Sequence, residues 1–144
     1  MSTIRLAHKT DMHEISTFDQ VAQQDQSRVI FISEAIEARN CYVSQLDSKI
    51  IGYGVLEYSF YSYGFIAMLY VHPNFRRQCI GESLMLHMER ECKTEKLFTS
   101  TNQSNKPMQA LLKKLGFQPS GIIENLDPGD PELIYFKFAT IQSS

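Results

Sequence analysis

The sequence is poor in cysteine, with only Cys41, Cys79 and Cys92 among its 144 residues. Three thiols cannot all pair within one chain, and none of them stands in a CxxC or Cys/His spacing typical of a zinc site. We therefore expect free thiols, no bound metal, and a reducing compartment such as the cytoplasm.

Long apolar runs and an excess of positive charge are also missing. No stretch approaches the ~18 apolar residues of a membrane span, and no apolar segment follows a basic start. The formal net charge is −2, whereas nucleic-acid binding is typical of strongly basic surfaces. We expect neither a membrane nor a nucleic acid as partner.

The length and composition are sufficient for one folded domain over residues 1–144. With 43% hydrophobic residues, a chain of this size buries its own core without disulfides or metal. An apolar-polar alternation from Ile4 predicts a first strand, and Thr10 or Asp11 caps a helix that continues to Val21. A second helix is expected over residues 27–40.

The remaining segments predict a sheet interrupted by two helices. Residues 41–71 are typical of an antiparallel meander, and the apolar period changes from two to about four at Ile80, where a helix begins. A short strand follows, then a helix from Asn105 to Gly116 and two final strands. The predicted order β-α-α-β-β-β-α-β-α-β-β indicates an α/β fold with a mixed, mostly antiparallel central sheet flanked by helices.

The stretch "VHPNFRRQCIGESLM", residues 71–85, has the features of a phosphate site. A helix N-terminus offers unpaired N–H groups and a positive dipole end, and Arg76 and Arg77 add two charges. Cys79 stands where a glycine would let an anion approach more easily. We expect Cys79 in the first helical turn with negative φ, so that its Cβ affects space alone.

Two motifs carry a family resemblance. "LYVHPNFRRQCIG", from Leu69 to Gly81, resembles motif A of the GNAT superfamily of N-acetyltransferases, with Cys79 at the position of its first glycine. "NKPMQALLKKLGF", from Asn105 to Phe117, resembles motif B of the same superfamily. The two motifs occur in the right order, and the predicted elements between them suit the family.

The resemblance implies that acetyl-CoA binds as cosubstrate. The backbone of Leu69, Tyr70 and Val71 would pair with the pantetheine arm, and Asn105 would donate a hydrogen bond to it or act as a helix cap alone. The pyrophosphate would be held at the positions matching the turn of motif A: Arg76, Arg77, Gln78, Cys79, Ile80 and Gly81.

The catalytic groups are less clear, because the tyrosine that the family often uses to protonate the leaving sulfur is Leu112 here. Tyr135 is the alternative acid, although packing between strands is the favoured interpretation of this residue. Glu57 is the candidate general base, with an ordinary exposed strand residue as the other interpretation. A free N–H in the strand "IAMLYV" is a candidate oxyanion donor.

The functional hypothesis is an acetyl-CoA-dependent N-acetyltransferase that acts on a primary amine of a small molecule or a protein. The alternative is a non-catalytic acyl-CoA sensor or regulatory module, which the leucine at position 112 favours. The acidic residues between Glu124 and Glu132 are suited to a cationic amine or to turn formation. A homodimer is possible, and the Cys79 thiol is a candidate for a mixed disulfide with coenzyme A.

Overall fold

The computed structural model of this chain describes residues 2–139. Within them seven strands form one sheet in the order β1-β2-β3-β4-β5-β7-β6. The strands are β1 (Thr3–Leu6), β2 (Cys41–Leu46), β3 (Lys49–Phe60), β4 (Tyr63–Val71), β5 (Lys96–Asn102), β6 (Gln118–Ile123) and β7 (Glu132–Phe138). β4 and β5 run parallel, and the other neighbours pair antiparallel.

The α-helices of the described residues are α1 (Met12–Phe18), α2 (Gln20–Gln24), α3 (Gln26–Glu37), α4 (Ile80–Glu91) and α5 (Lys106–Lys114). The segment predicted as one helix up to Val21 is divided at Asp19, whose backbone is extended with φ −82° and ψ 100°. The Asp19 carboxylate accepts hydrogen bonds from the N–H groups of Val21 (3.0 Å) and Ala22 (3.1 Å). Asp19 therefore acts as the N-cap of α2 and separates it from α1.

Two apolar cores lie on opposite faces of the sheet. Helices α1 to α3 cover one face over Ile15, Phe18, Ile32, Val43 and Tyr53. Helices α4 and α5 cover the other face over Leu84, Met85, Met88, Leu97 and Leu112. Strand β3 is buried from Ile50 to Leu56, because both of its faces are covered at that point. None of the helices in residues 2–139 is long and apolar enough to cross a membrane.

The sheet opens between β4 and β5. These strands pair from Gly64, opposite Leu97, only as far as Ile66, opposite Thr99. On its other side β4 contains a bulge: Val55 lies opposite Met68 and Leu56 opposite Ile66, so the residue between them has no partner in the register. Such a bulge bends a strand and leaves one residue unpaired.

This architecture, a mostly antiparallel sheet flanked by helices, confirms the predicted fold class. The bulge and the short parallel pairing bring about the divergence of β4 from β5. A cleft therefore opens in the middle of the sheet, directly before the turn that leads into α4.

Candidate active site

The first part of the site is the cavity between the separating strands, which we call the strand cleft. It measures about 190 Å³ and is lined by residues 66–69 of β4, residues 99–102 of β5, Asn105, Met108 and Glu132. The Thr99 hydroxyl donates to the Ile66 carbonyl at 2.8 Å, at the last pair before the strands part.

A larger cavity, the α4 pocket, adjoins the strand cleft. It measures about 680 Å³, within the range of small-molecule sites, and Leu69, Asn105 and Met108 line both cavities. Of the ten predicted cofactor residues, all but Gln78 line this pocket. The remaining lining residues are Phe75, Glu82, Pro107, Met108 and Leu111.

The backbone at the start of α4 differs from the prediction. Cys79 is the N-cap residue, with φ 62° and ψ 18°, and within residues 2–139 no side chain caps this helix end. The expected negative φ is wrong, because position 79 precedes the first helical turn and lies in the left-handed region that favours glycine. The first-turn N–H groups of Ile80, Gly81 and Glu82 have no carbonyl partner within the helix.

Charged groups at the mouth of the α4 pocket favour an anion. Arg76 Nε donates to the Val71 carbonyl at 3.2 Å, and its guanidinium lies 5.4 Å from the centre of the Tyr70 ring. Arg77 is exposed. Glu82 also lines the pocket, but its carboxylate pairs with Lys114 Nζ at 3.1 Å. The two arginines together with the helix dipole leave this mouth positive.

Gly81 keeps space open in the same pocket. A Cβ at this position would lie 3.6 Å from Leu69 Cδ2 and 3.6 Å from Val71 Cγ2, which are ordinary van der Waals distances. The fold itself therefore tolerates a side chain at position 81. The absence of one leaves room for a ligand against the first turn of α4.

Asn105 is the N-cap of α5, since its Oδ1 accepts a hydrogen bond from the Met108 N–H at 3.1 Å. This confirms the predicted cap. The cap uses only the amide oxygen, and an asparagine amide has two further donor hydrogens on its nitrogen. Among the described residues the Asn105 nitrogen donates to none, and the residue lines both cavities.

The turn before α4 is braced by His72. Its Nδ1 accepts a hydrogen bond from the Asn74 N–H at 3.0 Å, and its ring stacks on Phe18 with centroids 5.1 Å apart. Burial, followed by the charges of Lys49 and Arg76, lowers the pKa of His72. Because Nδ1 accepts this hydrogen bond, the imidazole is neutral, and it supports the turn.

A buried polar cluster braces β4 on the face covered by α1 to α3. Tyr53 and Asp19 are fully buried, the Tyr53 hydroxyl donates to the Asp19 carboxylate, and Arg28 Nε lies 3.1 Å from the same carboxylate. Burial raises the pKa of Tyr53. Arg28 also lies over the Tyr70 ring, 5.6 Å from its centre, so the cluster orients a residue of the α4 pocket.

The predicted catalytic residues lie outside the lining of both cavities. Leu112 is fully buried, and Tyr135 is 8% exposed in the core beneath α4 and α5. Glu57 lies opposite Phe65, where β4 still pairs with β5, and its carboxylate accepts a hydrogen bond from Ser59 at 2.9 Å. The structure thus does not bring Glu57 and Tyr135 together at the strand cleft.

The strand cleft instead contains a carboxylate that the sequence did not single out. Glu132, the first residue of β7, lines the cleft, and its Oε2 accepts a hydrogen bond from the Ser100 hydroxyl at 2.6 Å. In the sequence Glu132 is one member of an acidic run. Its pairing with β5, more than 30 residues away, is what brings it into the cleft.

Residues 8–117 match the acetyltransferase (GNAT) family. The chain belongs to this family. The crystal structure of a GNAT-family acetyltransferase from Bacillus cereus ATCC 10987 is 33% identical with a TM-score of 0.90, over 97% of this chain and 99% of that chain.

Two further proteins with similarity to this GNAT-family chain carry functional names. A Bacillus subtilis (strain 168) candidate ribosomal protein bS18-alanine N-acetyltransferase is 36% identical over 74 residues, 48% of this chain. The match spans about half, 49%, of that curated relative. A candidate acetyltransferase from Salmonella typhimurium, solved with its cofactor acetyl-CoA, shares the fold, with a TM-score of 0.77 at 19% identity over 100% of this chain and 97% of that chain.

Membership in the family confirms the resemblance that the two motifs indicate. It also accounts for the geometry of the site, in which a divided sheet leads to a positive helix N-terminus. The roles of individual residues in this chain follow from their contacts.

Proposed function

We propose that this protein transfers an acetyl group from acetyl-CoA to a primary amine of a small molecule or a protein. The observation that carries the proposal is the continuity of the strand cleft with the α4 pocket. A thioester at one end of such a groove can reach the open sheet while a phosphate at the other end meets the N-terminus of α4.

The α4 pocket suits the cofactor in its chemistry as well as its size. Backbone groups of residues 69–71 face an arm that carries amides, as pantetheine does. The pyrophosphate would be held by the N–H groups from Arg77 to Gly81, including Gln78 and Cys79, beside the charge of Arg76. The acetyl-CoA in the Salmonella typhimurium structure supports this assignment through the shared fold.

The chemistry in the strand cleft has two requirements, a donor for the developing oxyanion and a route for the departing sulfur. The bulge residue Ala67 has no partner on β3 and lines the cleft, so its N–H is the proposed oxyanion donor. A thiol of pKa ~8.5 leaves as thiolate at pH 7 at a cost of only about 2 kcal/mol. Transfer therefore does not require an acid, and Leu112 supplies none.

The proposed acceptor is a primary amine, and two features bear on which kind of amine it is. The name of the Bacillus subtilis relative supports a protein amino group, whereas the acidic loop before β7 suits any cationic amine. Glu57 as base and Tyr135 as acid stay predictions. A cytoplasmic location belongs to the same proposal, because Cys41, Cys79 and Cys92 are free thiols.

The deciding experiment measures release of the coenzyme A thiol with a colorimetric reagent. The purified protein is mixed with acetyl-CoA and a panel of primary amines that includes peptides with free N-terminal alanine. Amine-dependent thiol release, with the acetylated amine identified by mass spectrometry, supports the proposal. Tight binding of acetyl-CoA without turnover on any amine would support the regulatory module instead.

A matched variant tests the cofactor site separately from catalysis. Asn105→Asp keeps an oxygen that accepts from the Met108 N–H, so α5 stays capped, but it removes the amide donor. Loss of one hydrogen bond, about 0.5–1.5 kcal/mol, raises the Kd for acetyl-CoA by roughly 2- to 12-fold. An unchanged Kd with an unchanged Tm would show that Asn105 is a cap alone.

A further inference from the structure

We propose that Glu132 is the general base of the acetyl transfer and that Ser100 is its positioning residue. The proposal rests on the proposed function, since it assigns the group that removes a proton from the acceptor amine. The α4 pocket as cofactor site and the Ala67 N–H as oxyanion donor are unaffected by this assignment.

Glu132 is distinguished by its place in the strand cleft. Among the described residues that line this cleft, it is the one with a titratable side chain. The segments of β4, β5 and α5 present apolar, hydroxyl and amide groups there. A proton released inside the cleft near pH 7 therefore has one side chain able to accept it.

The carboxylate is held in a defined orientation. Ser100 lies opposite Ile134 in the pairing of β5 with β7, so Glu132 is its diagonal neighbour two residues along. The Ser100 hydroxyl donates to Oε2 at 2.6 Å, which leaves Oε1 to accept a proton. Glu132 is half-buried and so remains accessible to an incoming amine.

The alternation of the strands places this carboxylate on the correct side of the sheet. Leu97 and Leu133 belong to the core beneath α4 and α5. Ser100 is three residues from Leu97, and Glu132 is one residue from Leu133. Because successive side chains of a strand point to alternate faces, Ser100 and Glu132 point to the opposite face of the sheet. The cofactor pocket lies on the α4 and α5 side, so the amine meets the thioester carbonyl from across the sheet.

The other acids near β7 are engaged in the preceding loop. Asp127 Oδ2 accepts from the Asn102 amide at 2.9 Å, and Asp130 Oδ2 accepts from the Ser104 hydroxyl at 2.6 Å. These contacts fix the loop at the end of β5. Glu132 is thus the acid that reaches the cleft, and Asp130 is the charged residue nearest to it along the chain.

The proposed step transfers the acetyl group from sulfur to nitrogen. The acceptor ammonium gives one proton to Glu132 and becomes a neutral amine. Its nitrogen forms a bond to the thioester carbonyl carbon, the carbon-sulfur bond breaks, and the sulfur departs as thiolate with the electron pair. The second proton lost from nitrogen passes to the thiolate or to water, and Glu132 returns its proton to solvent.

The test is the variant Glu132→Gln, which keeps the size of the side chain and an oxygen for the Ser100 hydroxyl. We expect kcat to fall by about 10²–10⁴-fold, while the Kd for acetyl-CoA stays within twofold. The residual rate should rise with pH until the free amine predominates, because the variant depends on amine that is already neutral. Glu95→Gln removes the same charge from an exposed residue before the start of β5, outside the lining of both cavities. It is the matched control and should keep kcat within twofold.

A second variant covers the case in which Glu132→Gln folds poorly. Ser100→Ala removes only the hydroxyl. We expect kcat to fall roughly 12- to 160-fold, which corresponds to the loss of one hydrogen bond to a charged group, with KM for the amine little changed and the pH profile shifted. A general structural defect would lower Tm and leave the pH profile in place.

The outcomes separate the two proposals. A wild-type protein that acetylates amines while Glu132→Gln keeps its rate overturns the role of Glu132 and leaves the proposed function standing. If Glu57→Gln shows the large loss instead, the base is Glu57. A wild-type protein that binds acetyl-CoA but acetylates no amine overturns both proposals.

Discussion

The substitution Cys79→Gly tests the backbone conformation at the start of α4. Cys79 holds φ at 62°, in the left-handed region where a Cβ lies close to the following carbonyl oxygen. This conformation costs an L-residue roughly 1–2 kcal/mol, and glycine avoids the cost. The variant therefore removes strain that the folded protein carries at the entrance of its cofactor pocket.

The net gain is smaller than the strain, because glycine also gives the unfolded chain more freedom. That freedom offsets about 0.4–1 kcal/mol, which leaves a stabilisation of roughly 0.5–1 kcal/mol for Cys79→Gly. For a chain of 144 residues this corresponds to an increase in Tm of about 2–4 °C. Cys79→Ala keeps the Cβ and should show no such increase, which separates strain from loss of the thiol.

The control for Cys79→Gly is a glycine substitution at the adjacent residue, Gln78. Gln78 is not among the residues with positive φ, so Gln78→Gly gains nothing in the folded state and should lower the free energy of unfolding by about 0.5–1 kcal/mol. The two glycine variants should thus differ by 1 kcal/mol or more in urea unfolding at fixed ionic strength. Equal destabilisation by both would refute the left-handed conformation at position 79.

Three further predictions concern the rest of the molecule. Ser44 is fully buried, and its hydroxyl has no hydrogen-bond partner within the described residues. Because Ser44→Ala removes this unsatisfied polar group, the variant should raise the free energy of unfolding in urea by about 1 kcal/mol. The pair of Arg5 with Asp11, 2.8 Å apart, lowers the pKa of the Asp11 carboxyl chiefly through the hydrogen bond. The contribution of this pair to stability is fully present above the ordinary pKa of 3.8. Wild type should therefore exceed Asp11→Asn by about 1–2 kcal/mol in urea unfolding at pH 6, and this advantage should disappear as pH falls through the lowered pKa. Leu112→Tyr should lower stability by about 1–3 kcal/mol through overpacking without raising kcat, and an increase in kcat would contradict the core assignment.

Much of the fold is predictable because its signals are local. The start of α4 at Ile80, the cap at Asn105 and the end of α5 before Gly116 each depend on residues within one helical turn, and all three agree with the structure. The break between α1 and α2 at Asp19 is not predicted from the sequence. The apolar spacing from Met12 to Val21 continues across it, while the capping carboxylate that divides the helix carries a weaker signal.

The α4 pocket is predictable for the same reason, since most of its lining comes from one continuous stretch that includes the turn before α4. The catalytic part is different. Glu132 and Ser100 are more than 30 residues apart, and neither carries a motif. Glu57 appeared suitable from strand position alone, but the register places it at the closed end of the β4 and β5 pairing.

By itself, then, the sequence determined the element order, the family and most of the residues that line the α4 pocket, because periodicity, caps and contiguous motifs act over a few residues. The tertiary structure alone decided the left-handed backbone at Cys79, the unpaired residue Ala67 at the bulge, and the carboxylate that faces the open cleft. These features depend on strand register and on long-range pairing, in which a shift of one residue would turn Glu132 to the opposite face of the sheet.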